Sequence, residues 1–282
     1  MNPKFLHYKP ELSMITGIAW DHINVFPTFE NYVLQFERYL ESLPKGAICF
    51  YNQTDENLSK LCALYLSKRN DIQLKPYGLL EYKNLKNGIE ISHQNETYNM
   101  PWFGRHNVSN ATGAMLMAEE YGIPNDSFLR AMQSFGGTAR RLEEVFNNGK
   151  LIIIRDFAHS PSKVKATTSA VKEQYSNKNV IAVLELHTYS SLQKEFLPQY
   201  ENSLATADIA IVYTDDHVFE LKKMPKLSED EIKDGFHSDI KVLNNREDLL
   251  NTLTSLNKEN TALLMMSSGS FSGIDLTQFF NG

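Results

Sequence analysis

From near residue 138 onward the chain falls into a regular alternation of apolar and helical stretches. Apolar runs at 151–154, 180–184, 209–213, 240–243 and 262–266 are separated by stretches of helical periodicity. Strands buried on both faces by helices need such near-continuous apolar runs, so the pattern predicts a doubly wound parallel sheet. Ligands of these sheets bind beyond the carboxyl ends of the strands, which directs attention to the residues after each run. Three of the loops there are unusual. They read Arg155-Asp156-Phe157-Ala158-His159-Ser160-Pro161, Glu185-Leu186-His187-Thr188-Tyr189-Ser190-Ser191 and Ser267-Ser268-Gly269-Ser270-Phe271-Ser272-Gly273.

Residues 1–137 have a different, mixed rhythm. An apolar strand is predicted at 12–18, an amphipathic helix at 29–43, a short strand at 47–51 and a helix at 58–67, followed by weak strands at 79–82 and 89–92. Two helices close the segment. One begins at His106-Asn107 and runs to Tyr121, with Gly122 as its stop; the other follows Pro124 and ends before Gly136-Gly137.

Composition excludes several classes of function. With 42% hydrophobic and 22% charged residues the 282-residue chain can build ordinary cores and surfaces, and a net charge of −6 supplies no basic stripe for nucleic acid. No apolar run approaches membrane-spanning length and the N-terminus lacks the order of a signal peptide, so a cytoplasmic location is expected, with neither membrane nor nucleic acid as partner. Cys49 and Cys62 fit neither a disulfide framework nor a metal site.

Four constellations carry possible chemistry. Asp156 and His159 follow a buried strand, and Ser160-Pro161 reads as an N-cap and first-turn proline; a carboxylate there can accept ribose hydroxyls, or the group is simply a capped turn with a satisfied histidine. Asn107 and Asn110, spaced i, i+3, present two amides on one helical face, and one amide matches the donor–acceptor edge of adenine; alternatively Asn107 caps the helix. Asp21-His22 places an imidazole after the first strand, as a metal or phosphate contact or as a hydrogen-bonded surface residue. Arg140-Arg141 can fork onto a phosphate, or form a solvated hinge paired with Glu143 or Glu144. None of the fourteen glycines belongs to a Gly-x-x-x-x-Gly-Lys-Ser/Thr or Gly-x-Gly-x-x-Gly loop.

Taken in order, six collinear segments resemble the Mur ligase family: Lys4-Phe5-Leu6-His7-Tyr8, Ile18-Ala19-Trp20-Asp21-His22, Gly104-Arg105-His106-Asn107-Val108-Ser109-Asn110-Ala111, Thr138-Ala139-Arg140-Arg141-Leu142-Glu143, Asp156-Phe157-Ala158-His159-Ser160-Pro161 and Met266-Ser267-Ser268-Gly269. The resemblance is nearest to the branch that joins UDP-N-acetylmuramate to the recycled murein tripeptide L-alanyl-γ-D-glutamyl-meso-diaminopimelate. The alanine-adding branch and folylpolyglutamate synthase stand further off. It implies an α/β chain in which 1–137 form the rear part of a truncated central ATP-binding domain and 138–282 a Rossmann-like C-terminal ligase domain.

The implied chemistry is an ATP-dependent amide ligation through an acyl phosphate, with Mg2+ offsetting charge on the transferring phosphoryl group. By resemblance His22 helps bind magnesium; His106, Asn107 and Asn110 contact adenine; Arg141, with Arg140 beside it, approaches the ATP phosphates; Asp156 binds ribose and His159 lines the same cleft, with His22, Arg141 and His159 as the catalytic group. His187, Tyr189 and Ser268 are placed on the amine-substrate side, where the relatives' arginine-containing loop here reads His187-Thr188-Tyr189-Ser190-Ser191. With no phosphate-gripping loop in the sequence, the isolated chain is expected to be inactive, and a separately encoded N-terminal half is a possible partner. A non-catalytic nucleotide- or peptide-binding module is the competing reading.

Overall fold

The computed structural model describes residues 3–275, and the chain divides into two compact units, Met1–Gly136 and Gly137–Gly282. Among the described residues no helix is long and apolar enough to cross a membrane.

The first unit runs β1 (Leu12–Ile15), α1 (Phe29–Ser42), β2 (Ile48–Asn52), α2 (Glu56–Leu66), β3 (Gln73–Tyr77), β4 (Glu81–Asn84), β5 (Ile89–His93), β6 (Glu96–Met100), α3 (Arg105–Glu120) and α4 (Asn125–Met132). Strands β1, β2 and β3 pair in parallel in that order, with Leu12 opposite Ile48 and Ile48 opposite Gln73. Side chains of Ile15, Leu40, Cys49, Leu58, Cys62 and Leu74 form the core beside this sheet. Local chemistry sets the helix starts. Thr28 accepts the Asn31 amide at 3.1 Å, and Asp55 accepts the Leu58 amide at 3.0 Å while also taking the Ile18 amide at 2.8 Å.

Strands β4, β5 and β6 form an antiparallel meander. Neither β3 nor β6 is foreseen in the sequence. The first carries Lys75 and Pro76, which weaken an apolar pattern, and Pro is admissible there because β3 is an edge strand. The second is half exposed and is joined to β5 through Gln94-Asn95, both at positive φ (48° and 67°), the twist a tight hairpin demands without the glycine that would have signalled it.

The second unit runs β7 (Glu143–Asn147), β8 (Leu151–Asp156), α5 (Pro161–Gln174), β9 (Asn179–Glu185), β10 (Ile209–Tyr213), α6 (Asp216–Lys222), α7 (Glu229–Phe236), β11 (Lys241–Leu243), α8 (Arg246–Ser255) and β12 (Thr261–Met266). These strands make one sheet in the order β11-β10-β9-β12-β8-β7. The expectation of a wholly parallel sheet is corrected at one edge: β7 pairs antiparallel with β8. Its sequence, Glu143-Glu144-Val145-Phe146-Asn147, is too polar for a strand covered on both faces, and Asn148-Gly149 turns the chain back into β8, with Gly149 at φ 83°. The remaining five strands are parallel, and β12 is buried at every residue. Because β12 returns to the slot between β9 and β8, the loop that follows it emerges at the middle of the sheet's carboxyl edge.

Candidate functional site

Three strand ends in the second unit carry acids, two of them buried and one, Asp215, half-buried. Asp156 closes β8 and is 2% exposed; Glu185 closes β9 and is also 2% exposed; Asp215 follows β10. A buried carboxylate is tolerated only where donors replace its water, and each of these has them.

Asp156 uses Oδ2 to accept the Leu142 amide at 2.7 Å, and Oδ1 to accept the Ala158 amide at 2.6 Å and the Thr167 hydroxyl at 3.4 Å. A carboxylate offers about four lone-pair sites. Three are thus engaged in fastening the strand end to its own loop and to 142, and the carboxylate keeps one direction for anything else.

His159 lies half-buried beside it, with Nδ1 2.8 Å from the Phe157 carbonyl and its ring edge-on to Phe157. Contact with a carbonyl oxygen places the proton on Nδ1. Ser160 is the N-cap residue of α5 with Pro161 first in the helix, but its hydroxyl, buried at 3% exposure, makes no capping hydrogen bond; the sequence correctly locates the cap and overstates what the side chain does there.

Arg140 and Arg141 are both exposed, and Arg140 sits in the left-handed region at φ 57°. The Arg140 backbone donates to Glu143 Oε2 at 2.9 Å and accepts the Phe157 amide at 2.8 Å. The guanidinium of Arg141 lies 5.6 Å from the Phe157 ring centre. Glu143 does not take an ion pair from either arginine side chain. It pairs instead with Arg155 at 2.9 Å, and the Arg140 amide and the Arg155 guanidinium hold its carboxyl below the usual glutamate range despite partial burial.

Of these residues Arg140, Glu143, Arg155 and Asp156 open onto a cavity of about 590 Å3, lined also by Ser267, Gly269 and Phe271. Its floor is the loop after β12, latched by Glu185, which accepts the Ser267 hydroxyl and, at 3.0 Å, the Phe271 amide. A Cβ at Gly269 would lie 2.8 Å from His187 Nδ1 and 2.9 Å from Glu185 Oε2, so any larger residue there would displace one of these two side chains. His187 is half-buried with Nδ1 3.9 Å from Glu185 Oε1, beyond hydrogen-bonding reach. Ser268 Oγ is buried without a hydrogen-bond partner among the described residues, and Tyr189 is 48% exposed. Sequence reasoning passed over Glu185 and Ser267 as site residues; an acid ending an otherwise apolar strand was the available signal.

In the first unit, Asn107 and Asn110 lie one turn apart on α3. Gly104, at φ 97°, is the N-cap, so the alternative of Asn107 as the cap is set aside: its amide donates instead to the Phe103 carbonyl at 2.8 Å. Asn107 and His106 are half-buried and Asn110 is exposed. His22 is exposed at φ 60°, its amide donating to Asp21 Oδ1 at 2.8 Å and its carbonyl accepting from Val25 and Phe26. One imidazole beside an acid already bonded to its own chain makes no complete magnesium site, which needs several oxygens. Among the described residues no group of three His, Cys, Asp or Glu could hold a metal ion.

Comparison with known proteins matches both units. The family described as Mur ligase middle domain matches residues 4–118, and the one described as Mur ligase, glutamate ligase domain, matches 140–269. The chain is 27% identical over 263 residues, 90% of its length and 55% of the other's, to the UDP-N-acetylmuramate–L-alanine ligase of Cytophaga hutchinsonii. Among solved structures it is similar to a murein peptide ligase of Psychrobacter arcticus (TM-score 0.62, 19% identity, 99% of this chain and 59% of that one) and to a folylpolyglutamate synthase of Mycobacterium tuberculosis solved with ADP and AMPPCP (TM-score 0.67, 16% identity, 97% and 65%). At those identities the likeness speaks for the fold. The chain spans about half the length of the curated relatives it matches.

Proposed function

Because the chain belongs to the Mur ligase family and carries its middle and glutamate-ligase domains, we propose that it supplies the adenosine-side and amine-side groups of an ATP-dependent ligase acting on UDP-N-acetylmuramate. The observation that carries this reading is the cavity at the carboxyl edge of the second sheet, where Arg140 and Asp156 face the serine–glycine loop 267–269.

In the reaction so proposed, a muramyl carboxylate oxygen takes the terminal phosphoryl group of ATP, ADP leaves, the amine nitrogen bonds to the activated carbonyl carbon, and inorganic phosphate departs as the nitrogen gives up its proton. The charge that develops is anionic, so positioning and cations carry the catalysis. In our assignment Asn107 and Asn110, with His106 beside them, face adenine; the last lone-pair direction of Asp156 meets ribose; Arg141, and Arg140 next to it, meet phosphate. His159, with its proton fixed on Nδ1, borders the ribose side next to Asp156, and His187, Tyr189 and Ser268 border the amine. Magnesium, when bound, neutralises phosphate charge, with His22 contributing one of several contacts.

The amine we assign is the tripeptide L-alanyl-γ-D-glutamyl-meso-diaminopimelate. A second reading, L-alanine, is favoured by the alanine-adding relative of Cytophaga hutchinsonii. The 282 residues contain no glycine–lysine phosphate loop, so by themselves they are proposed to turn over no ATP. Calorimetric titration of the chain with ADP, the tripeptide and L-alanine tests the assignment: ADP binding weakened by Arg141→Ala is the result expected, and amide formation by the isolated chain, or ADP affinity unchanged by that substitution, would overturn it. A non-catalytic binding module is favoured instead by tight tripeptide binding with no response to nucleotide.

A further inference from the structure

Lys222, the last residue of α6, is placed unlike the other lysines of the second unit. Its Nζ lies 4.3 Å from the ring centre of Tyr189, a residue of the loop that follows β9, the strand next to β10 from which α6 departs. Lys222 is half-buried, and Tyr189 remains 48% exposed. The acids of its own helix are committed elsewhere: Lys226 takes Asp216 at 2.7 Å and Glu220 at 3.8 Å. Asp215, just ahead of the helix, accepts the Ser272 hydroxyl and the His217 amide. Among the described residues Lys222 has no carboxylate within ion-pair distance, and burial alone holds its ammonium below the usual lysine range.

A lysine at a helix C-terminus is ordinarily explained by the partial negative charge there, and such a residue stands in water or pairs with a neighbouring acid. Lys222 stands only partly in water and, among the described residues, pairs with no acid. It is partly stripped of water against an aromatic face, which attracts a cation without neutralising it. The result is an accessible, uncompensated positive charge in the crossover of a doubly wound sheet, above a loop at the carboxyl edge where ligands of such sheets collect. The loop itself, His187-Thr188-Tyr189-Ser190-Ser191, contains no arginine or lysine, so the cation over it comes from the neighbouring crossover.

We propose that Lys222, seated on Tyr189, binds a carboxylate of the incoming amine substrate and thereby sets which amines are accepted. This rests on the amine-ligand reading of the second unit given above. Tyr189 holds the ammonium forward over the loop, and its exposed ring borders the aliphatic part of the ligand. Ser268, its hydroxyl without a partner among the described residues, is the polar group of the neighbouring loop on the same edge.

The test is calorimetric titration of the 282-residue chain with L-alanyl-γ-D-glutamyl-meso-diaminopimelate and with L-alanine, each as the free acid and with its carboxyl groups amidated. The expected result is about tenfold weaker binding of the free acid by Lys222→Met, near-normal binding by Lys222→Arg, and amidated ligand bound by the unaltered chain no better than the acid is bound by Lys222→Met. A purely structural lysine would not discriminate acid from amide. Equal binding of acid by the unaltered chain and Lys222→Met overturns the assignment of Lys222 and leaves the amine-ligand reading standing. Failure of the unaltered chain to bind either acid overturns that reading and this inference together, whereas the arginine-141 test on ADP remains an independent check of the nucleotide side.

Discussion

The carboxylate of Glu185 accepts the amide of Phe271 at 3.0 Å across 86 residues of intervening chain, and the same oxygen accepts the Ser267 hydroxyl. One acid at the end of β9 therefore shapes the loop that follows β12. Removing it strands two buried donors, and a buried donor without an acceptor costs about 1–3 kcal/mol. Glu185→Ala is expected to lower the stability of the second unit by about 2–4 kcal/mol, measured as a shift of its urea midpoint at unchanged m-value.

Asp156 has the same character on β8. Its oxygens fasten the amides of Leu142 and Ala158, so Asp156→Asn, which turns one acceptor into a donor facing an amide, should destabilise the unit by about 1–3 kcal/mol even without nucleotide. Unfolding curves with and without ADP separate this from any ribose contact. A variant as stable as the unaltered chain would contradict the hydrogen-bonding arrangement described.

Asn110 offers the opposite case. It is exposed on α3, where Asn110→Ala should change stability by no more than about 0.5 kcal/mol. If its amide reads the adenine edge, ADP affinity should fall about tenfold, within the ~1–3 kcal/mol that a paired amide–base contact supplies. Circular dichroism melting and ADP titration on the same preparation give both numbers.

Asp215 makes an acid-sensitive contact. Burial on its own raises its pKa, but the hydroxyls of Ser272 and Tyr213 and the His217 amide outweigh burial and hold it below the ordinary aspartate value of 3.8. A carboxyl with a depressed folded pKa contributes stability that is present above its unfolded value and is lost as pH falls through the folded one. The second unit should therefore weaken as pH drops below about 4, and Asp215→Asn should flatten that part of the stability profile. Urea unfolding at a series of pH values from neutral to acid provides the measurement.

Much of the second unit was legible because its strands are apolar along their whole length. The run at 209–213 matches β10 at both ends, and those at 151–154 and 262–266 fall within β8 and β12. Polar edge strands escaped: β6 and β7 alternate exposure and carry few aliphatic residues, so their pairing is decided by neighbours and turns more than by local hydropathy. The local bonding of Asn107 escaped for a related reason. An asparagine three residues into a helix can cap, or donate to the turn before it, and only the position of Gly104 at φ 97° decides that the helix starts earlier.

The α/β class, the loops worth inspecting and the family kinship are all readable from the residues alone, because apolar periodicity and short collinear motifs are local properties of a chain. Tertiary structure alone decided what each polar group has left to offer. That Asp156 spends three of its lone-pair directions on the chain itself, that Glu185 clasps a loop 86 residues away, and that Lys222 reaches Tyr189 with no acid among the described residues to neutralise it are outcomes of packing. Burial removes water, and the donors that replace it are brought together by the fold from positions far apart in sequence.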